Sequence, residues 1–284
     1  MDIKTIGIIG AGTMGSGIAQ VMAASGFEVI LMDVKDEFIE RGMENINWGL
    51  NKMVEKGKMT NEEKEKVIDR VHTTTRLEDI AKADFVIEAV PEIAELKFDI
   101  FKRLDVLCPE YIILSTNTSS ISITRIASAT KRQDKVIGMH FMNPAPVMKL
   151  MEIIRGKNTS DETFTAVKSL VGRIGNIPVE SKDSPGFIVN RVLMPMINEA
   201  VFALMEGVAS AEDIDKAMTL GANLPMGPLA LADLIGLDTV LSITESIYRE
   251  TGDQKHRPCP LLKRYVDTGQ LGKKTGRGFY KYGL

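Results

Sequence analysis

Residues 5–33 read TIGIIGAGTMGSGIAQVMAASGFEVILMD, a pattern of strand, glycine turn, helix and strand. Ile6, Ile8 and Ile9 form an apolar run with the length and branched side chains of a buried strand. Gly10, Ala11, Gly12, Thr13, Met14 and Gly15 follow at once. A helix is expected over 13–25, carrying many small residues, and Gly26 is placed to stop it. Val29, Ile30 and Leu31 make the next apolar strand, with Asp33 at its carboxyl end. Each part has a physical role. Gly10 permits the tight turn, Gly12 lets a pyrophosphate approach the backbone, and Gly15 lets the helix lie close on the sheet. The unpaired N–H groups and the positive dipole end of the helix hold a phosphate anion. Asp33 lies about 20 residues on, where a carboxylate accepts hydrogen bonds from a ribose 2′-hydroxyl. The stretch therefore predicts dinucleotide binding. The same carboxylate repels a 2′-phosphate, which favours NAD over NADP; Lys35 is the one cation close by.

Outward from this unit, strands alternate with helices. Helices are expected over 36–56 and 61–71, where Met43, Ile46, Leu50, Met53 and Val54 repeat at helical spacing. Strands are expected over 85–90, 111–115, 135–141, 148–154 and 177–180. Helices fall between them, one carrying Leu96, Ile100, Phe101 and Leu104, then others over 121–129 and 161–174. That alternation predicts an α/β domain of Rossmann type, a mostly parallel sheet with helices on both faces. It ends at Asp183-Ser-Pro-Gly186. Beyond lie a long apolar helix over 187–207, a helix over 214–220 started by Ser210 and Asp213, and helices over 229–248 and 261–267. The expected organisation is a nucleotide-binding domain, 1–184, and an all-α domain, 185–284. The surplus of Met, Leu and Ile in the second predicts a homodimer through it.

The 284 residues suffice for two cores, and the net charge of −3 gives no reason to expect nucleic acid or an anionic membrane as partner. No apolar run reaches the roughly 18 residues of a membrane helix. The opening MDIKTIGIIG reads as the start of a strand, not as a signal peptide, so a cytoplasmic location is expected. Cys108 and Cys259 sit beside prolines without ligand-like spacing, which fits a reducing compartment and no metal site.

In open parallel sheets, ligands gather at the carboxyl ends of the strands. Glu92, Asn117, Ser119 and Asn143 fall there, and His140 lies near the end of its own strand. His72 and His256 stand in polar surroundings suited to surface loops. His140, between Met139 and Phe141, reads alone as a neutral buried histidine. Glu152 lies between Met151 and Ile153 on the following strand, and a buried carboxylate is costly unless paired. If the two strands are neighbours, Glu152 accepts from one imidazole nitrogen and the other faces substrate as general base or acid.

With these residues in place, the chain resembles the short-chain L-3-hydroxyacyl-CoA dehydrogenases, and more narrowly the bacterial 3-hydroxybutyryl-CoA dehydrogenases. The likeness covers essentially the whole length. It rests on GAGTMGSGIA, VIEAVPE, STNTSSISI, GMHFMNPAPVMKLMEII, DSPGFIVNR and GKKTGRGFY. It implies reversible hydride transfer at C3 of an acyl-CoA, in butyrate fermentation or fatty acid metabolism, with His140 and Glu152 as the catalytic pair. By the same likeness Ser119 and Asn190 bond the substrate's reacting end. Glu92, Lys97 and Asn143 match positions near the nicotinamide ribose. Lys52 and Lys56 match a region that meets the coenzyme A phosphates, and Lys274 matches a further cofactor-side contact. Since Asn190 belongs to the second domain, a site in the interdomain cleft is implied. Two rival readings remain: a dehydrogenase of a free hydroxyacid or sugar acid, and a non-catalytic NAD-sensing or structural relative.

Overall fold

A computed structural model describes residues 2–283. The chain divides into two compact units, Met1–Ser184 and Pro185–Leu284.

The first unit runs β1 (Thr5–Ile9), α1 (Thr13–Ala24), β2 (Glu28–Met32), α2 (Asp36–Glu55), α3 (Asn61–Asp69) and β3 (Val71–Thr74). It continues through β4 (Phe85–Glu88), α4 (Ala94–Leu107), β5 (Ile113–Thr116), α5 (Ile123–Ala127) and β6 (Val136–Phe141). It closes with β7 (Leu150–Arg155), α6 (Asp161–Arg173) and β8 (Ile177–Lys182). The strands form one sheet in the order β3-β2-β1-β4-β5-β6-β7-β8. Every neighbouring pair is parallel except β6 and β7. The order reverses between β1 and β4, which makes their carboxyl ends the switch point of the sheet. All residues of β4, β5 and β6 are buried, as in a sheet covered on both faces. Ile46 and Leu50 of α2 join that core, and Met43 and Met53 pack against it.

Two elements depart from the expectation. The second helix of the α2–α3 hairpin stops at Asp69, and Val71–Thr74 becomes an edge strand on β2. Its residues Val71, Thr73 and Thr74 are β-branched and better suited to a strand. The start of α3 is a capping box: Thr60 Oγ1 accepts from Glu63 N, and Glu63 Oε2 accepts from Thr60 N. The helix expected over 229–248 is two helices, α9 (Pro228–Ile235) and α10 (Leu237–Thr251), broken at Gly236. Its φ of +100° is one that a side chain resists.

The second unit is helical: α7 (Val189–Met205), α8 (Ala211–Gly221), α9 (Pro228–Ile235), α10 (Leu237–Thr251) and α11 (Pro260–Asp267). Its core gathers Met194, Ile197, Val201, Leu229, Leu237, Val240 and Leu262. The aromatic tail is clasped by two carboxylates. Asp233 accepts from the amides of Phe279 and Tyr280 and from the Tyr282 hydroxyl, and Asp215 accepts from the Tyr280 hydroxyl. His256, expected in a surface loop, is buried instead. Asp253 caps the 3-10 turn Gln254–His256 through the Lys255 amide. That turn leaves Gln254 and Lys255 outside and folds the ring inward. Among the described residues no helix is long and apolar enough to cross a membrane.

Candidate active site

The glycine turn leaves β1 at the switch point. Gly10 has φ of +101°, and a Cβ there would lie 2.6 Å from the Ala89 oxygen. A Cβ on Gly15 would collide with the Gly10 oxygen, so α1 is seated as close as backbone allows. Above Gly12 nothing lies within 4 Å. Gly12 and Thr13 are exposed, Met14 is half-buried and Ala11 is buried. Asp33 Oδ2 accepts from Ala11 N at 2.7 Å, and Oδ1 accepts from Val34 N at 2.7 Å. The carboxylate that would meet a ribose thus also braces the turn. Open space at Gly12, the amides of the first turn of α1 and an acid one strand away fit a dinucleotide.

A second cluster stands at the ends of β4 and β5. Glu88 is wholly buried, and its carboxylate accepts from Lys97 Nζ at 2.6 Å, Val90 N at 2.8 Å and Thr116 Oγ1 at 2.7 Å. Lys97, 1% exposed, also donates to the Val90 oxygen and lies 3.5 Å from Glu92 Oε2. Glu92 Oε1 gathers four donors: the hydroxyls of Thr118 and Ser120 and the amides of Ser119 and Ser120, at 2.6–2.9 Å. Burial pushes the Glu92 carboxyl up. The Lys97 ammonium and these donors outweigh burial and hold it below the usual carboxylate range. Asn117 Oδ1 accepts from Phe141 N at 2.9 Å, which ties the polar loop to β6 beside His140.

The third cluster is carried by the antiparallel pair. His140 and Glu152 are direct partners in the β6–β7 register. His140 Nδ1 lies 2.7 Å from Glu152 Oε2; the carboxylate can only accept, so the proton of this bond sits on Nδ1. Both side chains are buried, at 7% and 0% exposure. The sheet supplies this geometry directly, because cross-strand neighbours on one face stand about 5 Å apart.

The other expected residues are dispersed. Asn143 is exposed in the turn after β6. Lys52 and Lys56 are exposed near the end of α2, with Lys52 paired to Glu55 at 2.9 Å. Lys274 is held by both oxygens of Asp238, at 2.6 and 2.7 Å. Asn190 is buried in the first turn of α7, in the second unit. Glu88, Thr116 and Thr118 were missing from the candidates. A lone acid closing the otherwise apolar strand FVIE was the signal that could have found the first.

A doubly wound sheet with a dinucleotide turn at its switch point and a buried His–Glu pair near the same edge is the arrangement of a nicotinamide-dependent oxidoreductase. The chain belongs to the 3-hydroxyacyl-CoA dehydrogenase family: residues 5–184 match its NAD binding domain and residues 186–282 its C-terminal domain. It is 53% identical to the 3-hydroxybutyryl-CoA dehydrogenase of Bradyrhizobium diazoefficiens over 281 residues, 99% of this chain and 96% of that one. It is 52% identical to that of Clostridioides difficile over 277 residues, 98% of this chain and 99% of that one. The crystal structure of (S)-3-hydroxybutyryl-CoA dehydrogenase PaaH1 from Ralstonia eutropha superposes with a TM-score of 0.96 at 48% identity, covering 100% of both chains. The cofactor is accordingly NAD.

Proposed function

We propose that the chain reversibly oxidises (S)-3-hydroxybutyryl-CoA, or a close short-chain 3-hydroxyacyl-CoA, to acetoacetyl-CoA. The observation that carries this reading is the buried His140–Glu152 pair on the edge that also bears the glycine turn. Three strand spacings, about 14 Å, separate β1 from β6, a reach suited to an extended dinucleotide. NAD+, when bound, supplies the acceptor for the hydride leaving C3. His140 Nε2 takes the C3 hydroxyl proton, so the substrate loses one hydride and one proton in all. In reduction, the imidazolium returns that proton to the carbonyl oxygen. Glu152 holds the Nδ1 proton in place and stabilises the ring when it is charged. Ser119 and Asn190 orient the substrate's oxygen, and Asn117 keeps the serine loop in register with β6. Asp33 receives the adenosine ribose, while Glu92, held by Lys97, stands with Asn143 at the nicotinamide side. Lys52 and Lys56 meet the coenzyme A phosphates, and Lys274 is a cofactor-side cation.

The first unit is assigned to nucleotide binding, the second to substrate binding and to a homodimer. The exposed apolar side chains of Val192, Val208, Leu220 and Leu234 support the dimer, which light scattering tests. A cytoplasmic role in butyrate or fatty acid metabolism fits the activity.

The deciding experiment compares acetoacetyl-CoA with free acetoacetate as oxidants of NADH, for the wild type and His140→Gln. The thioester should turn over and the free acid should not. His140→Gln should keep NADH affinity while losing about 10²–10⁴-fold in kcat. Equal use of free acetoacetate would favour a hydroxyacid dehydrogenase, and near-normal turnover of His140→Gln would place the base elsewhere.

A further inference from the structure

Glu88 takes no part in the chemistry just described, yet it is a carboxylate with no exposure at all. Such a group is costly unless paired and fully hydrogen-bonded. Its partners meet that demand, and they lead to one place. Along one path, Glu88 Oε2 accepts from Thr116 Oγ1. That oxygen accepts from Thr118 N at 3.2 Å, and the Thr118 hydroxyl donates to Glu92 Oε1. Along the other, Glu88 Oε1 accepts from Lys97 Nζ, which also faces Glu92 Oε2. Both paths reach Glu92, whose Oε1 holds the amides of Ser119 and Ser120. The backbone oxygen of Glu88 also accepts from Asn117 N at 2.7 Å.

We propose that Glu88 is the positioning residue of the serine loop, setting Lys97 and Thr116 and, through them, Glu92 and the Ser119 hydroxyl. The proposal rests on the assignment of Ser119 to the substrate; Glu88 itself touches no ligand. The physical reason lies in the ammonium. Lys97 is buried between two carboxylates, one wholly buried and one 37% exposed. With Glu88 charged, Glu92 is left to hold the loop. With Glu88 neutral, Glu92 is the remaining counter-ion, and the buried ammonium draws it off the serine amides.

A double-mutant cycle on the full-length enzyme tests this. Glu88→Gln keeps the side chain's size and removes its charge. It should lower kcat/KM for acetoacetyl-CoA by about 10-fold, yet by less than about 2-fold in a Ser119→Ala background. A merely structural role gives the same fold-loss in both backgrounds and overturns the proposal. A Ser119→Ala enzyme as fast as the wild type also overturns it. Thr116→Val, which cuts one path only, should act in the same direction and serves if Glu88→Gln does not fold. Amide exchange of Ser119 and Ser120, measured without cofactor, should quicken by about 10-fold in either variant. Unchanged exchange overturns the proposal. A wild type inactive on acetoacetyl-CoA defeats the functional reading instead, and exchange alone then decides the role of Glu88.

Discussion

The imidazole of His140 and the carboxylate of Glu152 are each unfavourable in a buried sheet and acceptable together. Their bond of 2.7 Å follows from register alone, since the two residues face each other across β6 and β7. In the proposed reaction, what the carboxylate adds beyond orientation is charge, which favours the protonated ring during oxidation. Glu152→Gln separates the two effects. The amide oxygen still accepts from Nδ1–H, so the ring stays in place, but the negative charge is gone. NADH affinity should hold within about 2-fold while kcat falls by about 10², near the lower end of what positioned acid–base catalysis contributes. Steady-state kinetics beside a direct NADH titration checks this. An unchanged kcat would show that orientation alone matters. This pair could be read from the sequence, because a Glu flanked by Met151 and Ile153 must find a partner. The network around Glu88 could not. Its partners Lys97, in α4, and Thr116, in β5, are 9 and 28 positions away, and only the β4–β5 pairing and the placing of α4 bring them together.

Among the elements, those with strong periodicity were readable and those set by a single local choice were not. Apart from β3, the strands fall near their expected positions, most plainly where a buried strand is an apolar run. No strand is expected at β3, where the helix expected over 61–71 reaches only Val71, because the four residues Val71–Thr74 give too short a run to betray an edge strand. The α9–α10 break was missed because apolar spacing continues across Gly236, and only the backbone reveals its positive φ. Helix α2 offers an element whose exposed face can be tested. Lys52 lies on it and Lys56 caps its end, and Lys52 Nζ stands 5.9 Å from the ring centre of Trp48, the chain's single tryptophan, which is 67% exposed. If this face meets coenzyme A, Lys52→Ala should raise KM for acetoacetyl-CoA by about 3–10-fold, lessen its salt dependence and spare NADH affinity. Trp48 emission should change with acetoacetyl-CoA and not with free acetoacetate. A KM that does not move makes Lys52 an ordinary solvated charge, already satisfied by Glu55.

For the molecule as a whole, the change from alternating strands to helices near Ser184 reads as a boundary, and the contacts divide there into Met1–Ser184 and Pro185–Leu284. What composition hides is how the second unit treats its buried polar groups. Asp233 clasps the tail, and Asp215 accepts from the Tyr280 hydroxyl and from the amides of Leu229 and Ala230, but both ring nitrogens of His256 are buried and lack partners among the described residues. Burial, aided by Arg191 and Lys255 and opposed by Asp253, holds the His256 imidazole below its ordinary value of 6.5. The sign of the consequence is fixed by linkage. Above pH 6.5 the ring is neutral in both folded and unfolded chains and its effect on stability is constant. Below 6.5 the unfolded chain takes up a proton that the folded chain refuses, so stability falls as pH is lowered towards the folded value. The carboxyl of Glu92 is held low, but burial raises that of Asp233 in the same unit as His256, so the comparison is with a variant that changes only one of the three histidines. Of the three, His72 is 61% exposed and bonded to Glu28, and His140 is tied to Glu152. Urea unfolding at pH 7.5 and 5.5 should therefore show a loss in the wild type that shrinks in His256→Leu, an apolar replacement that leaves no nitrogen to protonate. Followed by second-unit signals such as Tyr280 and Tyr282, the transition should keep its m-value while its midpoint moves. Equal losses in the two proteins would mean that the ring is protonated in the fold as readily as outside it, and that its nitrogens are met by water.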